Sequence, residues 1–485
     1  MSKKLVLINN ILLGFTVFLA ILFAASCEKD NISSDSSLKL SFSTDTVMFD
    51  TVFTAIGSAT QSVRVYNRNT SDIVISSIRL ARSDESPYRI NVDGEPTLSA
   101  RNILLRSKDS LYVFVEVTVD PTQQNSPLFI ADSIVFETNG NIQDIKLLAW
   151  GQDVNLLSSH ILSGFNTFTS DKPYLIYNYL YVPSTAELVI EPGSKLHFHS
   201  LAQLVVDGTL RVNGDPQNPV VFEGDRLEPF YSDKAGQWGG IYMRAGSKNN
   251  QISWAEIRNA IVGVMIDTFA TPGVPALMLT STRIENMSAA ALLARGSHVE
   301  AGNCLFANAG QVVVWLMYGG KYRFSHCTIA NYWGQYLHRK GPALLLNNYY
   351  TYSLVENGPI LLETRDMEEA YFGNCIVYGS RSDEIEIDNV YRDQVVNAQM
   401  NYFFEHSLIR AELSVDTSDH SHFNAVIVEN PVFKNPFENN YELDTLSFAK
   451  DVGLLDIAVH FPFDLNGNNR LNDEKPDLGA FERFE

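Results

Sequence analysis

In this 485-residue chain, the residues best suited to chemistry fall in one stretch, RFSHCTIANYWG, where His326 stands beside Cys327 with aromatic residues close by. A histidine next to a cysteine can pair a nucleophile with its base or supply half of a metal site. No Ser or Asp at a supportive spacing makes a triad recognisable, and Cys304 and Cys375 lie 23 residues before and 48 after Cys327. A zinc site needs four converging ligands at short spacing, which these separations do not supply. His197 and His199 in LHFHS alternate along a strand and so offer two ligands on one side. DLNGNNRLNDEK places Asp464, Asn466 and Asn468 at the first oxygen positions of a calcium loop, but Asn469 replaces the turn glycine and Lys475 the bidentate glutamate. No metal and no cofactor is therefore expected, with calcium at this loop as the one candidate. A cap that protects the edge of the last coil is the plainer reading of the loop.

Stepping from residues to the elements that hold them, the cysteines turn out to share a repeat. The strings AEIRN, TRIEN, CLFAN, CTIAN, SLVEN and CIVYG end at Asn259, Asn286, Asn308, Asn331, Asn357 and Gly379, spaced by 27, 22, 23, 26 and 22 residues. A period in this range signals a solenoid. The first slot holds Ala255, Thr282, Cys304, Cys327, Ser353 and Cys375, all small, and the third holds Ile257, Ile284, Phe306, Ile329, Val355 and Val377, all large and apolar. Alternate residues of a strand share a side, so slots one and three face a core and slots two and four face out. Cys304, Cys327 and Cys375 then read as small buried hydrophobes with inert thiols. The final Asn suits a left-handed corner and can hydrogen-bond to its copy in the next coil. His326, one residue before slot one, lies at a corner or faces outward.

Coils of this length without Leu-x-x-Leu or 3.6 periodicity point to a parallel β-helix. The stretch AELVIEPGSKLHFHSLAQLVVDGTLRVNGDPQNPVVFEG, the element GQWGGIYM and the closing DLNGNNRLNDEKPDLGAFE resemble right-handed β-helix proteins of the pectate-lyase-like superfamily. The resemblance covers roughly residues 170–485 and implies the fold. An activity would be implied only by that superfamily's catalytic patterns. Neither the paired aspartates with a GHG histidine and an RIK arginine nor a calcium carboxylate cluster with a basic partner is found, and DEIEID, Asp383–Asp388, supplies acids alone. Carboxylate pairs drawn from distant rungs stay open as an acid/base alternative.

On the outer face, stacking puts Glu256 beside Arg283 and Arg258 beside Glu285, which reads as two complementary cross-strand pairs. Aromatic rows on a solenoid suit stacking against sugar rings when exposed and fill corners when buried. Trp315, Tyr318, Trp333 and Tyr336 are the candidate ligand-contact residues, and no catalytic residue is assigned.

Residues 38–154 carry about seven short alternating runs, among them QSVRVYN, SLYVFVEVTVD and DSIVFETN, and so predict an antiparallel β-sandwich. It resembles the immunoglobulin-like domains often placed next to the membrane in secreted bacterial proteins. Ahead of it, Lys3 and Lys4 precede an apolar run that ends in small residues at Cys27. That pattern resembles a bacterial lipoprotein signal over residues 1–26, with Ala24 where Leu is preferred and Cys27 as the lipidated first residue. An uncleaved signal anchor is the alternative, disfavoured because the apolar core is short for a span. Residues 27–37 read as a polar tether, and residues 155–485 as the β-helix with its C-terminal cap.

The formal charge of −20 becomes −22 once Lys3 and Lys4 leave with the signal. Such a chain lacks the basic footprint that nucleic acid requires. The sequence thus describes an all-β, exported protein, lipid-anchored at the outer membrane on its surface or periplasmic face. Its expected role is to present a β-helix surface to a glycan or an envelope protein without catalysis. A polysaccharide lyase or glycoside hydrolase and a structural or adhesin component are the competing classes.

Overall fold

A computed structural model describes residues 31–485 except 55, 122–126, 271–272, 334–338, 357, 414, 473 and 485. The readings placed on Cys27, Tyr336 and Asn357 fall outside the described residues. The chain divides between Asp153 and Val154 into two compact units.

The first unit is a β-sandwich of two five-stranded sheets. Strand Ser110–Val117 shows the cause: Leu111, Val113, Val115 and Val117 are buried while the residues between them face solvent. Val63, Val65, Ile134, Phe136, Ile145 and Leu147 meet them from neighbouring strands and from the facing sheet. Each such side chain contributes about 1.5–3 kcal/mol by leaving water. Thr46–Phe53 pairs in parallel with Asn141–Gln152, which joins the start of the sandwich to its end.

The second unit is a right-handed parallel β-helix. Each regular coil places one strand on each of three faces, as in Leu277–Thr280, Arg283–Met287 and Ala290–Arg295, followed by His298–Gly302, Leu305–Ala309 and Val314–Met317. The first face is a ten-stranded parallel sheet, and the other two are linked into a seventeen-stranded one. From Trp254 onward each turn between the first and second faces is made by one residue in the left-handed region: Trp254, Ser281, Asn303, His326, Asn374 and His406 have φ between 43° and 55°. Between the second and third faces Asn259, Asn286 and Asn308 take φ of 65°, 64° and 59°. Asparagine tolerates this conformation better than other residues with a Cβ. Inside, stacked rings run along the axis, with Phe324, Phe372 and Phe404 at centroid distances of 5.1 and 4.7 Å.

The small first slot has a specific local reason. Thr282 Oγ1, Cys304 Sγ, Cys327 Sγ, Cys375 Sγ and Ser407 Oγ each donate to the carbonyl two residues earlier, at 2.9, 3.2, 3.4, 3.3 and 3.1 Å. A short side chain with a donor closes the corner and leaves the interior to the large residues of slot three.

Three expectations need correction. Ser353 and Val355 are not a rung: Thr328–Asn331 pairs directly with Ile376–Gly379, and Tyr349–Tyr352 with Leu361–Thr364 forms an antiparallel hairpin inserted between coils. Val355, expected in the core, is 63% exposed. The Asn ladder is not self-stacked. Asn439 from the C-terminal segment bridges it, accepting from Asn308 Nδ2 at 2.6 Å and donating to Asn286 Oδ1 at 3.5 Å. Finally, the C-terminal segment does not cap the last coil's edge. It lies as a strap along the second face, where Phe433, Tyr441, Leu443, Leu465, Leu478 and Phe481 cover the outward Leu305, Ala307, Ala330, Ile376, Tyr378 and Leu408. Slots two and four turn apolar in these rungs, and an apolar outer face must be covered.

Candidate functional site

The ten-stranded face carries two parallel columns of outward side chains. Four residues before slot one stand Gln251, Met278, Glu300, Arg323, Tyr371 and Phe403, each in register with the next. Two residues before slot one stand Ser253, Thr280, Gly302, Ser325, Gly373 and Glu405, also in register. The first column is tall and chemically varied. The second is a trench of small residues that ends at a carboxylate.

The strap drops into that trench. A Cβ on Gly302 would lie 1.9 Å from the Phe461 ring, and one on Gly373 would lie 2.7 Å from Ile457 Cδ1. The glycines are therefore required by close approach. The strap turn is also tied from beneath. Asn374 Nδ2 donates to the Leu454 carbonyl at 2.9 Å, and Asn374 Oδ1 accepts from the Leu454 amide at 2.8 Å. This fixes the amide's orientation, so its Nδ2 also donates to His326 Nε2 at 2.9 Å. Burial lowers the His326 pKa well below its usual value, leaving a neutral ring.

Between the strap and the tall column runs a groove of about 570 Å³. Met278, Glu300, Arg323 and Tyr371 form its floor, Leu454, Asp456, His460 and Phe461 its wall, and Glu405 closes the trench. Four strands at the usual interstrand spacing give the floor a length of about 14 Å. Tyr371 donates its hydroxyl to Glu405 Oε2 at 2.7 Å, and burial followed by this bond raises its pKa above the ordinary tyrosine value. Arg323 is ion-paired with Glu369, and its Cζ stands 4.4 Å from the Tyr371 ring centroid. Such a surface offers ring faces, hydroxyls and carboxylates over several rungs, the chemistry that holds a chain of sugar rings.

The residues singled out from sequence lie elsewhere. Cys304, Cys327 and Cys375 are buried free thiols, and burial pushes those of Cys304 and Cys375 well above the ordinary range. His326 and Cys327 diverge, the first toward the strap and the second into the core, so they form no catalytic pair. Trp315 is half-buried on the third face, in register between Leu293 and Leu345. Tyr318 donates to Glu363 Oε2 at 3.0 Å, beside the inserted hairpin. Trp333 is half-buried after the Asn331 corner, where Asn331 Nδ2 donates to the Ala309 carbonyl at 2.8 Å. None of these three aromatics lines the groove.

His197 is buried 3.4 Å from Glu223, with its pKa lowered to about 4 by burial, while the exposed His199 meets Asp225 at 2.7 Å. Among the described residues no group of three or more His, Cys, Asp and Glu is placed to hold a metal ion. In the 464–468 loop, Asp464 Oδ1 accepts the Asn466 and Asn468 amides at 2.8 and 2.7 Å, and Oδ2 accepts the Glu482 amide at 2.8 Å. Its carboxylate thus organises the turn from within.

The charged ladder keeps its register but changes partners. Glu256 lies opposite Arg283 and Arg258 opposite Glu285. Arg258, however, bonds Glu223 Oε2 at 2.9 Å, and Arg283 turns to Asn466 Oδ1 at 3.0 Å. Buried under the strap, Glu285 is pushed up to about 7. The groove residues were legible in one respect. Counting four positions back from slot one gives Gln251, Met278, Glu300, Arg323 and Tyr371, because the same period governs every face; Ser353 adds Tyr349, which lies in the inserted hairpin, and Phe403 stands beyond the repeat read from sequence.

No protein-family model matches the chain, and no curated protein matches it. Among solved structures, the catalytic unit of a thermostable GH87 alpha-1,3-glucanase from Streptomyces thermodiastaticus is 11% identical, covering 75% of this chain and 88% of its own, with a TM-score of 0.25. A family 123 glycoside hydrolase from Clostridium perfringens is 8% identical over 25% of this chain and 30% of its own, with a TM-score of 0.18. A protein of unknown function from Porphyromonas gingivalis W83 is 13% identical over 26% of this chain, with a TM-score of 0.18, and the match spans 60% of that protein.

Proposed function

We propose that this chain is an exported lipoprotein, anchored through a lipid on Cys27 to the outer membrane, whose β-helix binds a glycan chain in the groove beneath the strap. The groove itself carries the proposal: a floor running across four rungs, an aromatic ring on the floor and another in the wall, and carboxylates along its length. The acidic net charge disfavours nucleic acid as the partner. The lipid anchor rests on the sequence pattern around Cys27 alone.

Titration of the full chain, purified in detergent, against a panel of oligosaccharides tests the binding. Tyr371→Ala is expected to weaken binding at least about tenfold, on the scale of one lost aromatic contact. Retained binding in this variant would place the ligand elsewhere. A second reading, hydrolysis, is favoured by the meeting of Glu300, Glu405 and Asp456 in one groove. Release of reducing ends that Glu405→Gln abolishes would establish it in place of simple binding.

A further inference from the structure

We infer that the groove selects a neutral or amine-bearing glycan and discriminates against polyuronates, an inference that rests on the glycan-binding reading above. Its lining brings three carboxylates, Glu300, Glu405 and Asp456, against one guanidinium, that of Arg323, and one imidazole, that of His460, which carries charge only when protonated. The guanidinium is already partly neutralised. Glu369 holds it in an ion pair, and Tyr371 lies under it as a cation-π partner.

Among the described residues the bordering column offers no free cation to replace it. Lys321, in register between His298 and Glu369, reaches Glu369 Oε2 at 3.5 Å. His298 Nε2 stands 3.3 Å from Glu300 Oε1. Two of the carboxylates, by contrast, keep capacity toward the groove. Glu405 receives only neutral donors, the Tyr371 hydroxyl at 2.7 Å and Asn424 Nδ2 at 3.3 Å. Asp456 is exposed on the strap turn. A chain bearing one carboxylate per sugar would meet like charge at three points along the floor and wall, and would find the one guanidinium already sharing its charge with Glu369. Hydroxyl groups can donate to the same carboxylates at no such cost, and ammonium groups are attracted to them. A concave wall of one sign also biases which ligands approach.

The test titrates the full chain in detergent with three oligomers of matched length: galacturonate, glucose and glucosamine. At low ionic strength the glucose or glucosamine oligomer is expected to bind at least about tenfold tighter than the galacturonate oligomer, with the glucosamine preference shrinking as salt is added. The double variant Glu300→Gln, Asp456→Asn, altered on an outward strand position and an exposed turn, is expected to narrow the discrimination about tenfold. Equal or tighter galacturonate binding by the unaltered protein, or discrimination unchanged in the double variant, overturns the inference while leaving the groove a glycan site. Binding of none of the three, with none from the wider panel, overturns the glycan reading itself.

Discussion

The sharpest mechanical test falls on Arg470, because the wall of the groove depends on how the strap is held. Its guanidinium is fully buried, donating from Nη1 to Glu482 Oε2 at 3.1 Å and from Nη2 to Asn303 Oδ1 at 2.8 Å, so it ties the strap both to itself and to a corner of the coil. Asp477, whose amide donates to Glu482, and Asp464 complete a group in which one cation faces three buried carboxylates. One guanidinium cannot compensate all three. Burial and then the Asp477 charge push Glu482 up to about 8, and burial pushes Asp477 up to about 6. A carboxylate whose folded pKa is raised holds its proton more tightly when folded. Stability is therefore greatest below the unfolded value and falls as pH rises through the folded one. The unaltered β-helix unit should lose stability between about pH 4.5 and about pH 8 from this source.

In Arg470→Met the carboxylates lose the close cation that faces them among the described residues. Near pH 9 the cost is set by an uncompensated buried charge, about 3–5 kcal/mol. For a unit of this size that corresponds to a Tm depression of roughly 4–7 °C. Near pH 5 Glu482 is already protonated and the cost falls to the lost hydrogen bonds, about 1–2 kcal/mol. Thermal unfolding of both proteins at the two pH values, followed by circular dichroism, measures the difference. Limited proteolysis should show the strap cleaved first in the variant. An equal Tm loss at both pH values, or none at pH 9, would refute the assignment of a buried charge imbalance to this cluster.

Three further outcomes follow from the columns. Cys327→Ser should change stability by less than about 1 kcal/mol, since a hydroxyl at this slot can donate to the Ser325 carbonyl as Thr282 and Ser407 do to theirs; denaturant titration checks it. The three slot-one thiols should react with a thiol reagent only after unfolding. Gly302→Val drives a side chain into the Phe461 ring, so it should expel that part of the strap, costing up to about 3 kcal/mol and removing glycan binding even though no groove carboxylate is touched. Unchanged binding in Gly302→Val would show that the strap does not form the wall.

By itself the sequence determined the repeat. Small residues at slot one, large apolar residues at slot three and asparagines at the corner fix the strand direction, the inside and the period, because a strand alternates faces and a solenoid repeats its turns. The same period carries the tall outward column, since residues four before Cys304, Cys327 and Cys375 occupy equivalent places on another face. Slots two and four were read as outward-facing, and the apolar Leu305, Ala307, Ala330, Ile376 and Tyr378 that stand there leave a second face in need of cover. Only the tertiary structure decided what covers it. The strap is held by hydrogen bonds between residues more than a hundred apart in sequence, such as the Arg470 guanidinium to Asn303 and the Ala480 amide to the Thr328 hydroxyl. The groove arises where that strap meets glycines whose need for smallness appears only when Phe461 and Ile457 are in place. Likewise Ser353 fits the local pattern of a rung, and the inserted hairpin wins because its strands pair with each other while Asn331 and Gly379 pair across it. Local pattern selects what a segment can form, and long-range pairing selects which of those options is realised.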